Sequence, residues 1–292
     1  MFKGLGTAMI TPFDADGAVD YSALEKIVDC QLKGNVDALF VCGTTGEPPT
    51  MNAAEREKVI KSVIDQVNGK IPVFVGTGSN DCAHAVELSK HAQKMGADGV
   101  LAVTPYYNKC TQDGLYLYYK AINDAIDIPI VAYNVPGRTG VNMKSATVER
   151  LTSLKNVKGV KEASGNIAQI LETSRRIRGS QINLYSGDDC IAVPIMSVGG
   201  SGLISVASNA IPSIMSEMIH AWLDGDHAKA LDMQMKYQPF FEAMFLEVNP
   251  IPVKTACALL DMCKPYMRLP LTTLTDGNRE KLEKIMKDLA IL

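Results

Sequence analysis

One lysine has the sequence context of a carbonyl-reactive nucleophile. Lys161 ends the run Val157–Lys161, whose apolar pattern predicts a short buried strand. Burial disfavours the charged ammonium and lowers the lysine pKa from its usual value of about 10.4. A desolvated lysine amine forms Schiff bases with carbonyl substrates. The alternative is a lysine that reaches from the strand end to solvent; the strand pattern alone favours this alternative, and the rest of the chain favours the Schiff base.

Polar residues follow several other predicted strands. Gly43–Glu47, with the sequence GTTGE, either exposes backbone N–H groups to an anion or forms an ordinary turn. Arg138, in the turn Asn134–Gly140, either binds a carboxylate through its forked guanidinium or is a surface cation. Tyr106 and Tyr107 place two phenols at the end of the fourth strand, although ordinary core or surface aromatics are the commoner explanation for such a pair.

The later loops do not have the pattern of a phosphate site. Asp188, in Ser186–Asp189, precedes a helical segment and is interpreted as its cap rather than as a catalytic acid. The glycine-rich segment Gly199–Gly202 precedes a strand, which places it at the wrong end of a barrel for chemistry. The sequence therefore favours carboxylate and carbonyl substrates over sugar phosphates.

The elements that position these residues alternate between short apolar runs and helical patterns. Eight strand–helix units in about 205 residues predict a parallel sheet, and they favour an α/β fold of the (β/α)8 TIM barrel type over an open doubly wound sheet. We therefore predict a catalytic barrel over residues 1–210 and a C-terminal helical extension over residues 211–292. The predicted strands are Leu5–Ile10, Ala38–Cys42, Ile71–Val75, Gly99–Val103, Pro129–Tyr133, Val157–Lys161, Ile182–Tyr185 and Leu203–Val206.

Helix boundaries also have sequence signals. Asp20, Asn52 and Asp81 are candidate N-caps, and Glu55 completes a capping box with Asn52. The predicted helices of the extension are Ile211–Leu223, His227–Glu247, Ile251–Leu260 and a last one after Thr275.

A barrel brings Lys161 close to an aromatic hydroxyl. Alternate side chains along a strand share a face, so Lys161 lies on the face of Val157 and Gly159, at the carboxyl end where barrel enzymes place their chemistry. Tyr133 ends the preceding strand, about 4.8 Å away in a paired sheet. We therefore expect Tyr133 and Lys161 to lie side by side, with Lys158 on the surface at the other end of its strand.

Composition narrows the class of protein. The chain has 292 residues, 47% of them hydrophobic, and a net charge of −3, which gives no basic surface for nucleic acid. No apolar run approaches the ~20 residues of a membrane span, and the N-terminal residues lack a signal-peptide pattern. The seven scattered cysteines and four histidines have neither disulfide nor metal-ligand spacing. We expect a cytoplasmic protein without a metal.

Six segments together resemble the dihydrodipicolinate synthase family over nearly the full length of the chain. The most specific are the YNVPGRTG and VKEASG motifs, which are improbable together by chance. The six are Gly43–Glu47, Val103–Lys109, Tyr133–Gly140, Val160–Gly165, Ser186–Asp189 and Val248–Lys254.

The resemblance implies a reaction and a set of roles. Pyruvate would form a Schiff base with Lys161, lose a methyl proton to become an enamine, and attack the aldehyde of aspartate semialdehyde, and the product would be 4-hydroxy-tetrahydrodipicolinate. The family typically forms a homotetramer of two tight dimers and uses no metal or organic cofactor. By position, Thr44, Tyr107 and Tyr133 would form a proton relay, in which Tyr107 completes the site of a neighbouring subunit. Thr45 would bind the carboxylate of pyruvate, and Arg138 would bind the carboxylate of aspartate semialdehyde. The backbones of Gly187 and Ile204 would line the pocket.

The chain departs from lysine-inhibited members of the family at the allosteric pocket. Asn80 and Tyr106 agree with those members, whereas His84 replaces an acidic partner of the lysine ammonium. Losing a charge-assisted contact costs roughly 1.5–3 kcal/mol, so we predict weak or absent inhibition by lysine. The other matching positions are Pro48, Pro49, Ala53 and Arg56.

Two other functions share part of this pattern. N-acetylneuraminate lyase, another Schiff-base aldolase, would share Lys161, Tyr133 and Gly43–Glu47, but Arg138 does not suit a polyol substrate. A catalytically silent pyruvate-binding protein is the alternative from a different class. The retention of every reactive residue disfavours it.

Overall fold

The computed structural model describes residues 1–292 and contains a closed barrel of eight strands in the order β1 to β8. Twelve α-helices alternate with and follow these strands, so the predicted (β/α)8 TIM barrel with C-terminal helices is confirmed. The strands are β1 (Gly4–Ala8), β2 (Ala38–Val41), β3 (Val73–Gly76), β4 (Gly99–Val103), β5 (Ile130–Asn134), β6 (Val157–Glu162), β7 (Asn183–Ser186) and β8 (Gly202–Ser205).

The helices include several short ones that no sequence signal predicted. Four of the twelve helices, α9 to α12, lie after the last strand, as expected for the C-terminal extension. The helices are α1 (Tyr21–Lys33), α2 (Ala53–Val67), α3 (Cys82–Lys94), α4 (Gln112–Ala125), α5 (Pro136–Thr139), α6 (Ser145–Leu151), α7 (Ile167–Ile177), α8 (Ala192–Ser197), α9 (Pro212–Leu223), α10 (His227–Ala243), α11 (Ile251–Leu259) and α12 (Asp276–Asp288).

The predicted caps begin the helices at which they were expected. Asp20 accepts a hydrogen bond from the Ala23 amide at the start of α1. Asn52 and Glu55 form a reciprocal capping box at the start of α2, which satisfies two backbone donors that the helix leaves unpaired. The predicted helix His227–Glu247 ends earlier in the structure, at Ala243. The prediction was too long because the apolar residues after Ala243 continue the helical pattern, although they lie in a turn.

The chain divides into two compact units. One unit comprises Met1–Lys3 and Pro72–Ile204, and the other comprises Gly4–Ile71 and Ser205–Leu292. The boundaries of these units differ from the predicted division between residues 210 and 211. The assignment of a barrel domain and a helical extension stays a prediction. In the first unit, β3 to β8 pair in parallel, and in the second unit β1 pairs in parallel with β2.

Candidate functional site

Lys161 is a buried lysine near the carboxyl end of β6. Only 4% of the residue is exposed, so the predicted burial is confirmed. The pKa of Lys161 is lowered to about 8, mainly because the side chain is buried; the carboxylate of Asp189 opposes this change, and the positive charge of Arg138 adds to it. An amine with this pKa has a substantial neutral fraction near neutral pH, which is the form that attacks carbonyl carbon.

Tyr133 is the neighbour of Lys161 across the β5–β6 pair. The two residues are register partners, and Lys161 Nζ lies 4.5 Å from the centroid of the Tyr133 ring. Tyr133 is also buried. The predicted side-by-side placement is therefore confirmed, and it brings a phenol next to the nucleophile.

Lys158 lies at the other end of β6, and its Nζ donates a hydrogen bond to Gln181 Oε1 at 2.8 Å. This side chain is partly exposed, in keeping with the surface position predicted for it. The two lysines of the strand therefore have different environments.

Gly187 leaves the space that the Lys161 side chain occupies. A Cβ atom at Gly187 would lie 3.0 Å from both Cγ and Cε of Lys161 and 2.9 Å from Cβ of Ala163. Contacts this short would force the lysine side chain to move. Ile204, in β8 of the same unit, is fully buried.

Arg138 lies in the short helix α5, directly after β5. The helix ends at Gly140, whose φ of +70° is a left-handed conformation that glycine adopts without steric cost. The buried hydroxyl of Thr139 lies 3.2 Å from the carbonyl oxygen of Val135 and 3.0 Å from that of Val141, and it can donate its single proton to either one within the turn. Arg138 itself is exposed, and its charge lowers the pKa of Lys161.

Tyr107 differs from the other aromatic residues in its exposure and its backbone. It is 88% exposed and has a φ of +72°, which is costly for a residue with a bulky side chain. Its neighbour Tyr106 is partly exposed and accepts a backbone hydrogen bond from Asn108. A strained backbone that points a phenol into solvent is a feature typical of functional positions.

The GTTGE segment lies in the second unit, where it forms a short 3₁₀ helix at Thr44–Gly46 after β2. The hydroxyl of Thr45 is buried and accepts a hydrogen bond from Asn249 Nδ2 at 3.0 Å. Glu47 ends this segment with a φ of 55° and forms a fully buried ion pair with Lys254 of α11. The segment from Asn249 to Lys254 thus contacts both the middle and the carboxyl end of this loop.

The ion pair beneath this loop was not anticipated by sequence reasoning. Lys254 Nζ also donates to the backbone carbonyl of Tyr266 at 3.1 Å and lies 4.4 Å from the centroid of the Phe13 ring. Burial lowers the pKa of Lys254, while the Glu47 carboxylate opposes that change. The VNPIPVK motif contains Lys254 and was a possible signal, but nothing local to it identifies Glu47 as its partner.

Asp189 is a second residue that sequence reasoning missed. It is buried, follows β7, and its negative charge acts on Lys161. The adjacent Asp188 is a cap, as predicted, because its Oδ1 accepts from the Cys190 amide at 2.9 Å. Two successive acidic residues after a strand were the available signal, and only the first received an interpretation.

The positions compared with the lysine-inhibited members fall in both units. In the first unit, His84 is exposed in the first turn of α3, and the carbonyl of Asn80 accepts from Asn108 Nδ2 at 2.9 Å. In the second unit, Pro49 lies in the 3₁₀ helix Pro48–Thr50, and Arg56 hydrogen-bonds the thiol of Cys42. Ala53, also in the second unit, is the exposed first residue of α2.

No three His, Cys, Asp or Glu side chains come together in a way that could hold a metal ion. No helix has the length and apolar character needed to cross a membrane.

Known proteins match this chain over its whole length. The sequence profile of the dihydrodipicolinate synthetase family matches residues 1–289. The 4-hydroxy-tetrahydrodipicolinate synthase of Caldicellulosiruptor bescii is 50% identical over 291 residues, which are 100% of this chain and 98% of the relative.

Two solved structures have nearly the same fold. The dihydrodipicolinate synthase of Thermotoga maritima is 44% identical with a TM-score of 0.97, and the match covers 100% of both chains. The chloride-inhibited dihydrodipicolinate synthase of Acinetobacter baumannii, complexed with pyruvate, is 40% identical with a TM-score of 0.98 and the same full coverage. On its sequence and its fold alike, the chain belongs to the dihydrodipicolinate synthetase family.

Proposed function

We propose that this enzyme, a lyase, condenses pyruvate with aspartate semialdehyde through a Schiff base on Lys161. The product is 4-hydroxy-tetrahydrodipicolinate, and the reaction is the first committed step of diaminopimelate and lysine biosynthesis. The observation that carries the proposal is the buried Lys161, with its lowered pKa, beside Tyr133 in a barrel of this family. Family membership favours this reaction over N-acetylneuraminate lyase activity and over a silent pyruvate-binding protein.

The first half of the reaction needs a neutral amine and a proton donor. Lys161 attacks the ketone carbon of pyruvate, and water leaves as the imine forms. The cationic imine accepts the electron pair released when a methyl proton is removed, which gives the enamine. Tyr133 serves as the general acid and base next to Lys161, and Thr44 and Tyr107 extend its proton relay.

The second half joins two carbons and releases the enzyme. The enamine carbon attacks the aldehyde carbon of aspartate semialdehyde, whose amine then displaces Lys161 and closes a six-membered ring. Thr45 holds the pyruvate carboxylate, and the exposed Arg138 binds the carboxylate of the second substrate. The backbones of Gly187 and Ile204 line the pocket.

The enzyme acts as a homotetramer built from two tight dimers, in which Tyr107 completes the site of a neighbouring subunit. The support for this assembly is the position of Tyr107, which is 88% exposed on a strained backbone. A cytoplasmic location agrees with the seven free cysteines, which suit a reducing compartment.

The test of the proposed function is pyruvate-dependent turnover of aspartate semialdehyde, coupled to the downstream reductase. Arg138→Ala should still form the borohydride-trappable pyruvate imine, since the arginine binds the other substrate. The catalytic efficiency for aspartate semialdehyde should fall about tenfold to hundredfold, because a charge-assisted contact is lost. Loss of the imine in this variant would contradict the role of Arg138.

The lowered pKa of Lys161 predicts the pH dependence of imine formation. In the free enzyme, the rate of imine formation should rise with pH through an apparent pKa of about 8, as the amine loses its proton. Asp189→Asn removes a charge that favours the ammonium, so the pKa should fall and the rising limb should move to lower pH. Rapid-mixing measurements of imine formation across pH check this; a limb that moves to higher pH would show that Asp189 does not act on Lys161.

Weak or absent inhibition by lysine is the expected regulatory property. His84, exposed at the start of α3, takes the place of an acidic partner for the lysine ammonium. His84→Glu should lower the lysine concentration needed for half-inhibition by about tenfold or more. Inhibition curves of both proteins test this, and strong inhibition of the wild type at low lysine would refute it.

A further inference from the structure

Two buried polar side chains lie on the opposite face of the strands that carry Tyr133 and Lys161. Asn134 and Glu162 are the next residues along β5 and β6, and they are register partners, as Tyr133 and Lys161 are. Because side chains alternate along a strand, Asn134 and Glu162 point away from the reactive pair. Both residues are fully buried.

Hydrogen bonds join these two side chains directly. Asn134 Nδ2 lies 3.0 Å from Glu162 Oε2 and 3.2 Å from Glu162 Oε1. Asn134 Oδ1 accepts from the Met143 amide at 2.8 Å, which fixes the orientation of the Asn134 side chain. Glu162 Oε1 also accepts from the Ser164 amide at 2.7 Å.

The backbone of the same two residues extends the connection to the site. The Ala163 amide donates to the Asn134 carbonyl at 2.9 Å, so the β5–β6 ladder continues past the paired side chains. The Gly187 amide donates to the Glu162 carbonyl at 2.8 Å. Gly187 packs against the Lys161 side chain, and the Glu162 carbonyl therefore holds a residue that is in contact with the nucleophile.

A buried carboxylate in this place is expensive without donors. Burial raises the pKa of Glu162, and the hydrogen bonds from Ser164 and Asn134 act in the opposite direction. A side chain of similar shape with an apolar tip would fill the same space with no such cost. The presence of a polar pair at this place is therefore explained better by the fixed direction of its hydrogen bonds than by the volume that it fills.

We infer that Asn134 and Glu162 are positioning residues that hold Lys161 and Tyr133 in the register required for imine formation. This inference rests on the proposed function. Neither side chain contacts substrate, and both act through the strand ends to which they belong. A displacement of about 1 Å by a change outside the reacting groups costs about a hundredfold in rate.

The first variant that tests this is Asn134→Asp, which keeps the shape of the side chain but places a second carboxyl opposite Glu162. The measured quantity is the rate constant of pyruvate imine formation per folded molecule, from borohydride trapping at short times. We expect a decrease of about tenfold to hundredfold. Glu162→Gln should also slow the reaction, because its amide then faces the amide of Asn134.

The double variant N134D/E162Q separates positioning from general damage. The carboxylate introduced at position 134 can accept from the amide introduced at position 162, which restores the hydrogen bond between these two positions with donor and acceptor exchanged and with one carboxylate retained. The bond from Asn134 Nδ2 to Asn142 Oδ1, 3.0 Å long, is lost both in Asn134→Asp and in the double variant, so it does not affect their comparison. The rate constant should return to within about threefold of the wild type. A double variant as slow as the slower single variant would overturn the inference.

Asn156→Asp is the matched control. Asn156 is a buried asparagine at the amino end of β6, and its amide donates to the carbonyls of Asn123 and Ile126 at 3.0 and 2.6 Å. The control should lose stability without slowing imine formation in the folded protein. If Asn134→Asp slows the reaction no more than Asn156→Asp does, the role is structural only and the inference fails.

The inference can still be tested if Asn134→Asp does not fold or if the wild type forms no pyruvate imine. If Asn134→Asp does not fold, the comparison of Glu162→Gln with the double variant decides, since positioning requires the double variant to be faster. A wild type that forms no pyruvate imine would count against the proposed function instead. The rate at which a small ester acylates Lys161 would then report the placement of that amine in each variant.

Discussion

Replacing Lys161 with alanine should lower turnover by at least about a thousandfold while the protein stays folded, because the covalent intermediate can no longer form. The loss should appear in kcat, since no other residue forms the cationic imine that accepts the electron pair. Stability should change little, because removal of a buried amine offsets the loss of its packed stem. Turnover with both substrates, borohydride trapping of pyruvate and thermal unfolding are the three measurements.

Lys158→Ala is the matched control for this change. Lys158 belongs to the same strand, but it is partly exposed and bonded to Gln181 at the other end. Its replacement should leave turnover within about twofold of the wild type, since an exposed contact of this kind contributes little. If Lys161→Ala retains turnover near that of Lys158→Ala, then the nucleophile has been misassigned.

Lys254→Met should lower the free energy of unfolding by about 3–5 kcal/mol, because it leaves the Glu47 carboxylate buried without its cation. Both members of this pair are almost inaccessible to water, with exposures of 0% and 2% for their side chains. The loop that ends at Glu47 also contains Thr44 and Thr45. Denaturant unfolding measures the stability loss, and the KM for pyruvate should rise because the loop loses its anchor.

The corresponding double variant, Glu47→Met with Lys254→Met, should recover most of the stability. Apolar side chains of similar volume commonly replace a buried ion pair at little or no cost. Lys229→Met is the surface control: its partner Glu217 is about half exposed, and the change should cost about 1 kcal/mol or less. A loss for Lys254→Met as small as that of Lys229→Met would mean that the buried pair contributes no more than a surface pair.

The strands and the reactive pair could be predicted because their signals are local. Short apolar runs indicate buried strands, and the period of two along a strand assigns Lys161 and Tyr133 to faces. Neighbouring strands in a barrel then place the two residues side by side, as the register of β5 and β6 confirms. The capping box of α2 is equally local, with its two members three residues apart.

Other features could not be predicted because they depend on residues distant in sequence. Glu47 and Lys254 are separated by 207 residues, and nothing near either one indicates that they meet. The short helix α5 forms from a proline–glycine segment that local rules assign to a turn. The effect of Asp189 on Lys161 depends on the burial of both residues, which the pair of acidic residues after the strand does not reveal.

The discontinuous second unit has a consequence for how a ribosome produces this protein. Its two segments, Gly4–Ile71 and Ser205–Leu292, are joined by hydrogen bonds such as that from the Ile10 amide to Asn209, 199 residues later. At a translation rate of about 5–20 residues per second, the second segment is synthesised roughly 10–40 s after the first. During that time the apolar strands β1 and β2 are without the C-terminal helices, and the GTTGE segment is without Lys254, the ion-pair partner of Glu47. During synthesis the chain therefore exposes apolar surface of the kind that chaperones bind, before its active site can form.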